Sequence, residues 1–228
     1  MLLIDADIIA YRAAASAENE NIDIAISRTD SMMMELLSFD NKYLSFLSGE
    51  NNFRKVINPE YKANRKDIIK PIYLNDCKQY LIDEFKSIVT DGYEADDALG
   101  FNQTEETVIC SIDKDLMMIP GMHYNFVKKE YHEVSELDGI KQFYRQMLIG
   151  DSVDNIMGIK GIGKVKAAKL IDPLENEEEM YNLVANLYFM PNEPIISRFN
   201  INADCLWIWR KEGERFSHRY ENNQKNCS

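Results

Sequence analysis

The sequence predicts an α/β fold, a mostly parallel central sheet flanked by helices, and three observations carry that expectation. Short apolar runs, at residues 1–4, 42–47, 88–90, 107–112 and 124–127, alternate along the chain with segments of helical period. Three of these runs lead into a carboxylate, Asp5, Glu50 or Asp113. In such sheets ligands bind beyond the carboxyl ends of the strands, so these acids are expected along one edge. Finally, 228 residues with 45% hydrophobic content suffice for one domain with a real core, or one domain with a small appendage.

Each element has a local reason. Residues 1–4 are apolar and read as a buried strand ending at Asp5, and residues 8–15 follow as a short helix. Residues 31–39 have helical spacing with Asp30 or Ser31 as cap, and the three consecutive methionines there are core filler. Residues 42–47 alternate aromatic and polar side chains and end at Gly49-Glu50. Residues 59–70 are polar, basic and helical in part; residues 72–85 form an amphipathic helix. A short strand at 88–90 precedes a helix opened at 94–101. The β-branched run 107–112 is a buried strand, followed by a helix start at 114–118, a strand at 124–127 and helices at 136–148 and 177–189. Residues 203–209 are a short apolar segment, and 211–228 read as a polar, flexible tail.

The net charge of −12 and a pI near 4.8 speak against a nucleic-acid partner if taken as totals. Distribution matters more. Many of the acids fall into tight groups: Asp5 with Asp7 beside it, Glu50, Glu94-Ala95-Asp96-Asp97, Asp113-Lys114-Asp115, and Asp151-Ser152-Val153-Asp154. Carboxylates crowded together raise each other's pKa unless cations sit between them. Hard oxygen donors without cysteine or histidine partners suit Mg²⁺ or Mn²⁺. Cys77, Cys110, Cys205 and Cys227 are scattered and form no zinc pattern, so they read as reduced buried or tail thiols of a cytoplasmic protein. No basic segment precedes the apolar N-terminus, which is therefore not read as a signal peptide, and no apolar run is long enough to cross a bilayer.

Each acidic group also has a bland reading. Asp113 and Asp115 could cap a helix, Glu94 to Asp97 could be a favourable acidic first turn, and Asp151 and Asp154 at i, i+3 could be one solvated helix face. Their joint placement at the ends of elements argues for a metal-bearing site. The sharper signal is Gly158-Ile159-Lys160-Gly161-Ile162-Gly163-Lys164 with Lys166 and Lys169 beyond. Gly-rich turns between two short helices expose backbone N–H groups to phosphate, and the lysines suit a DNA backbone without base readout. A second basic stretch holds Arg54, Lys55, Lys62, Arg65, Lys66 and Lys70 around Tyr61, and is expected to guide a strand into the site. Metal ligands with phosphate grips point to metal-assisted cleavage of nucleic acid.

On five stretches the chain resembles the 5′–3′ exonuclease branch of the flap-endonuclease (5′-nuclease, PIN-like) superfamily, phage exonucleases in particular. They are residues 3–7, Asn58-Pro59-Glu60-Tyr61-Lys62-Ala63-Asn64-Arg65-Lys66, residues 94–97, Ser111-Ile112-Asp113-Lys114-Asp115, and residues 150–155 through Gly161-Ile162-Gly163. The resemblance implies a short helical arch at about 54–86 on a nuclease core of residues 1–150, and a helix–three-turn–helix motif within 151–210. It implies two divalent ions, one held by Asp5, Glu50, Glu94 and Asp96, the other by Asp113, Asp115 and Asp154, with Asp97 and Asp151 supporting them. It implies that Lys62 and Arg65 contact the scissile phosphate. Arg54, Tyr61, Lys66, Gly158, Lys160, Gly161, Gly163, Lys164 and Lys166 would bind DNA, with K⁺ on turn carbonyls. The implied partner is DNA with a 5′ end, a flap or a duplex–single-strand junction, or an RNA–DNA hybrid, cut by a monomer in replication or repair, in the host cytoplasm if phage-encoded. Ala6 and Glu50 depart from the family pattern, and the span from Tyr61 to Glu94 is short for a full arch. Two rivals differ in class. A PIN-type single-strand ribonuclease would not need the Gly-Ile-Gly hairpin, and a non-catalytic DNA-structure binder would be expected to have lost some acids.

Overall fold

The computed structural model describes residues 1–188, 195–217 and 219. In chain order the elements are β1 (Leu2–Asp5), α1 (Ala6–Ser16), α2 (Ile22–Leu37), β2 (Tyr43–Leu47), α3 (Phe53–Ile57), α4 (Leu74–Phe85), β3 (Ile88–Val89), α5 (Ala95–Asn102), β4 (Val108–Cys110), β5 (Gly121–Asn125), β6 (Glu130–Val134), α6 (Glu136–Ile149), β7 (Gly150–Asp151), β8 (Ile156–Met157), α7 (Lys164–Ile171), α8 (Glu177–Tyr188) and α9 (Ile195–Leu206). Single 3₁₀ turns occupy Ala63–Arg65 and Asp115–Met118. The chain divides into two compact units. One comprises Met1–Asn52, Ile69–Val134 and Arg210–Glu212; the other comprises Phe53–Ile68, Ser135–Trp209 and Gly213–Ser228.

The first unit holds the sheet, in the order β3-β2-β1-β4-β5-β6. Every pairing is parallel except β5 with β6. Leu2 and Ile4 of β1 join Leu47, Cys110 and Tyr124 in a core shared with Ile9, Ala10 and Ala13 of α1, Met33 and Leu36 of α2, and Cys77 and Leu81 of α4. The run of alanines lets α1 lie close to both α2 and α4. Leu3 and Ile109, one residue out of phase, are fully buried outside that cluster, and α5 packs against β1 and β2.

Two elements differ most from expectation here, and β5 runs Gly121–Asn125 where a strand was expected at 124–127. Helix α2 begins at Ile22, not near Ser31, because the Asn21 side chain accepts from the Ile24 N–H at 3.1 Å and caps it. Strand β6 was not foreseen. It is an edge strand whose Glu130 to Glu133 are exposed, so it carries no apolar alternation.

In the second unit α6 packs against α7, α8 and α9, and α3 packs against α9. The division therefore falls at Val134, not at residue 150, and the basic stretch expected as one arch is split between units at Ile68. A centre of aromatic rings joins Phe143 to Tyr144, Trp207 and Phe216 at centroid distances of 5.1, 5.0 and 4.6 Å. Phe216 is 1% exposed, and Ser217 donates from N and Oγ to the Asp204 carboxylate. The tail expected from 211 is thus anchored as far as Ser217 by one aromatic plug; His218, Cys227 and the rest of 220–228 lie outside the described residues. The apolar segment expected at 203–209 is the end of α9 together with the turn after it.

Candidate metal and nucleic-acid site

In the first unit the parallel strands bring Asp5, Glu50, Asp113 and Asp115 to their carboxyl ends. Asp5 closes β1 and is 2% exposed. Its Oδ1 caps α1 by accepting from Ile8 N at 3.2 Å, and its Oδ2 accepts from Ser111 Oγ at 2.6 Å. Ser111 Oγ accepts in turn from Asp113 N at 3.0 Å, and Asp113 Oδ1 accepts from Asp115 N at 2.8 Å. A continuous hydrogen-bonded chain therefore links three of the expected ligands. Burial, more than the nearby Asp7 and Asp113, pushes the Asp5 carboxyl up to about 7, against the pull of its Ser111 hydrogen bond. Ser111, inside the motif at 111–115, bridges Asp5 and Asp113. A serine one residue past a strand has no signal until the neighbouring strand is placed.

Asp7 is fixed differently. Its Oδ2 accepts from Ser48 N at 2.7 Å, and its Oδ1 meets Lys78 Nζ of α4 at 2.5 Å. Ser48 Oγ accepts from Ala95 N at 2.9 Å, at the start of α5. Between Ser48 and Glu50, Gly49 runs so close to β3 that an added Cβ would stand 2.1 Å from the Thr90 carbonyl oxygen. Glu94 is the N-cap of α5, and Asp97, fully buried, accepts from the Glu94 N–H at 3.0 Å. Asp97 thus closes a capping box, while Asp96 lies in the same first turn, half-buried.

The donors at this edge are all hard carboxylates. Among the described residues no three acidic, histidine or cysteine side chains stand close enough to hold an ion as they are. The set nonetheless fits a Mg²⁺-like cation, which keeps several waters and needs only one or two carboxylates. A buried Asp5 beside Asp7 and Asp113 is the charge distribution that such a cation would relieve.

In the second unit the expected helix face at Asp151 and Asp154 is absent. Asp151 lies in β7, which pairs antiparallel with β8, and its Oδ1 accepts from Val153 N and Asp154 N at 2.8 and 3.2 Å. That turn chemistry competes with helix formation. Asp154 faces the basic stretch: Tyr61 Oη donates to Oδ2 at 2.8 Å, Lys62 Nζ lies 3.6 Å from it, and Arg65 donates to Oδ1. Asn64 Nδ2 and Arg65 Nε donate to the carbonyls of Ser152 and Val153 at 2.8 and 3.1 Å. Lys62 adopts left-handed backbone (φ 56°) with its N–H on the Asp154 carbonyl at 2.9 Å.

Two residues expected on DNA are internal. Tyr61 is 4% exposed. Arg54, 2% exposed, donates to the Cys205 and Trp207 carbonyls at 2.9 and 2.8 Å, satisfying the end of α9. Lys66, by contrast, is exposed.

Residues 158–163 lie between β8 and α7, not between two short helices. Gly161 has φ +81°, and a Cβ on Gly158 would stand 2.3 Å from the Ile149 carbonyl carbon. Gly163 has φ −95° and open space around its Cβ position, so it needs no glycine on steric grounds. Lys160, Lys164 and Lys166 are exposed. The Met157 carbonyl accepts from Arg198 and Asn202 at 3.3 and 2.8 Å, and that of Gly158 from Arg198 at 2.6 Å. Side-chain donors already serve these two carbonyls, two of the turn carbonyls expected to face K⁺.

The chain is similar to a known family and to several known proteins. The family described as 5′-3′ exonuclease, N-terminal resolvase-like domain, matches residues 1–145. A 5′-3′ exonuclease of Buchnera aphidicola (subspecies Schizaphis graminum) is 26% identical over 84% of this chain and 76% of its own length. One from Mycoplasma genitalium is 30% identical over 84% and 77%. A DNA polymerase I of Borreliella burgdorferi is 29% identical, but only 20% of it is covered. The fold matches T5 5′-exonuclease with bound divalent zinc at TM-score 0.63 and 18% identity, covering 90% of this chain and 86% of that one. It also matches the Rad2 catalytic core in complex with DNA, at TM-score 0.55 and 16% identity, over 94% and 78%. The family match extends over well more than half the sequence and takes in both the Asp5 and the Asp113 stretches, and on that basis the chain belongs to the 5′-3′ exonuclease family.

Proposed function

We propose that this chain is a metal-dependent 5′ nuclease that hydrolyses phosphodiester bonds of DNA. The observation that carries it is the linked series Asp5, Ser111, Asp113, Asp115 at the carboxyl edge of a parallel sheet. Asp5, Glu50, Glu94, Asp96, Asp113 and Asp115 would hold divalent cations, Mg²⁺ or Mn²⁺, two for the full set. When bound, such cations supply Lewis acidity, acidifying water and offsetting charge on the leaving oxygen. Ser111 keeps Asp5 oriented and favours its ionised form. Asp97 sets the first turn of α5, and with it Glu94 and Asp96. Lys62 and Arg65, held by Asp154 and by the turn after Asp151, neutralise phosphate charge. Exposed Lys160, Lys164 and Lys166 grip duplex without base readout. The substrates are DNA with a 5′ end or flap, and RNA–DNA hybrid as a further one; replication or repair is the setting.

The test is one 5′-labelled substrate set, comprising blunt duplex, flap and RNA–DNA hybrid, digested with Mg²⁺, with Mn²⁺ and with EDTA. Cleavage from the 5′ side that EDTA abolishes, and that Asp113→Asn reduces by orders of magnitude with binding retained, is expected. Full activity in EDTA would refute the reading.

A further inference from the structure

Lys78 carries no motif, lies on a helix of the core and falls outside the five short stretches that carry the resemblance. Its ammonium nevertheless meets Asp7 Oδ1 at 2.5 Å, with both side chains 27% exposed. The other Asp7 oxygen accepts from Ser48 N, and Ser48 Oγ accepts from Ala95 N. One path of charge-assisted and neutral hydrogen bonds thus runs from α4 through the first turn of α1 and the loop after β2 to the first turn of α5. Those are the segments that bear Asp5, Glu50, Glu94 and Asp96. Without Lys78, Asp7 would be one more repelling carboxylate two residues from Asp5 and free to turn toward a cation itself.

We propose that Lys78 is a positioning residue for the nuclease reaction. By holding Asp7 against Ser48 it fixes the spacing of the three acidic segments and keeps Asp7 out of the cation site. The proposal rests on the metal-dependent reading above. It differs from a simple charge effect in sign. Removing a cation from an acidic site would, by Coulomb attraction alone, tighten the binding of a divalent cation; loss of positioning weakens it. Partners that orient metal ligands typically carry about 10–100-fold in affinity or activity.

The test compares wild type with Lys78→Met, Lys78→Arg and Ser48→Ala in the full chain. Mn²⁺ binding is followed by paramagnetic resonance without DNA, and kcat and KM are measured on flap DNA with Mg²⁺. Lys78→Met should bind Mn²⁺ about 10-fold more weakly and lose about 10-fold in kcat, with the KM for DNA unchanged. Ser48→Ala should shift in the same direction, and Lys78→Arg should recover most of the loss. If Lys78→Met binds Mn²⁺ as wild type does, or more tightly, or only its melting temperature falls, the proposal is overturned while the nuclease reading stands. Wild type that neither binds Mn²⁺ nor cleaves would remove both.

Discussion

Ser111 donates its hydroxyl proton to Asp5 at 2.6 Å, and so ties the ends of two neighbouring parallel strands through a single oxygen. The same oxygen receives the Asp113 N–H. Ser111→Ala removes a donor from a buried carboxylate and an acceptor from the next acid's backbone. Losing a hydrogen bond to a charged buried group costs about 1–3 kcal/mol. With Asp5 then harder to ionise, the Mg²⁺ needed for half-maximal cleavage should rise about tenfold, more at pH 6.5 than at pH 8.5. A Mg²⁺ titration at both pH values checks it.

Asp5 itself should cost the metal-free protein stability. Its carboxyl titrates near 3.8 when unfolded and about 7 when folded, because burial penalises the anion. The folded state therefore holds the extra proton between these values. Asp5's contribution is fully present below pH 3.8 and is lost as pH rises through 7. Asp5→Asn should melt higher than wild type at pH 8 in EDTA, with the gap closing toward pH 4. Each kcal/mol corresponds to about 2–4 °C in a chain of this size. The same variant should be inactive with Mg²⁺. Thermal scans at pH 4, 6 and 8 decide it.

At the hairpin, glycine is demanded by backbone geometry at Gly161 and by close approach at Gly158, while Gly163 is extended and open. Gly161→Val and Gly158→Ala should weaken duplex binding, and Gly163→Val should be tolerated. Lys164→Ala should flatten the slope of log K against log salt by about 0.9 if it holds one phosphate. Duplex affinity measured across a salt series separates these outcomes.

Lys62→Ala should lower the single-turnover rate more than it lowers DNA affinity, because charge neutralisation counts most when negative charge builds on the phosphate. Equal losses would make Lys62 a general phosphate contact. Quench-flow rates set beside binding isotherms give the comparison.

Phe216→Ala should destabilise the protein by about 3–5 kcal/mol, as deletion of a buried aromatic ring does. Phe143 and Trp207 would lose a shared neighbour. A shift in the urea midpoint without change in its slope is the expected signature.

Legibility in the sequence followed the physics of each segment. The strands at Leu2–Asp5 and Val108–Cys110 were plain because the first is buried throughout, the second all but at Val108, and both read as continuous apolar runs. Strand β6 was hidden because its residues face water at an edge. The acids Asp5, Glu50 and Asp113 could be placed at one edge from strand order alone, whereas Asp151 and Asp154 could not. Their i, i+3 spacing suits a helix, but side-chain bonds to the next backbone N–H groups favour a turn. Arg54 misled because a guanidinium capping carbonyls inside a core has the same letter as one that meets phosphate. Lys78 was silent because its partner, Asp7, lies 71 positions away and is chosen by the packing of α4 on α1.

Both units are assembled from separated lengths of chain, and each takes a piece from beyond residue 209. During synthesis from the N-terminus neither is complete before residue 209 has left the ribosome. The rings of Phe143 and Trp207 emerge before Phe216 and wait for it. Such long-range closure makes for slow folding and transiently exposes apolar surface. A nascent chain arrested before residue 216 should therefore be captured by chaperones and cut by proteases, and release should confer resistance in one step.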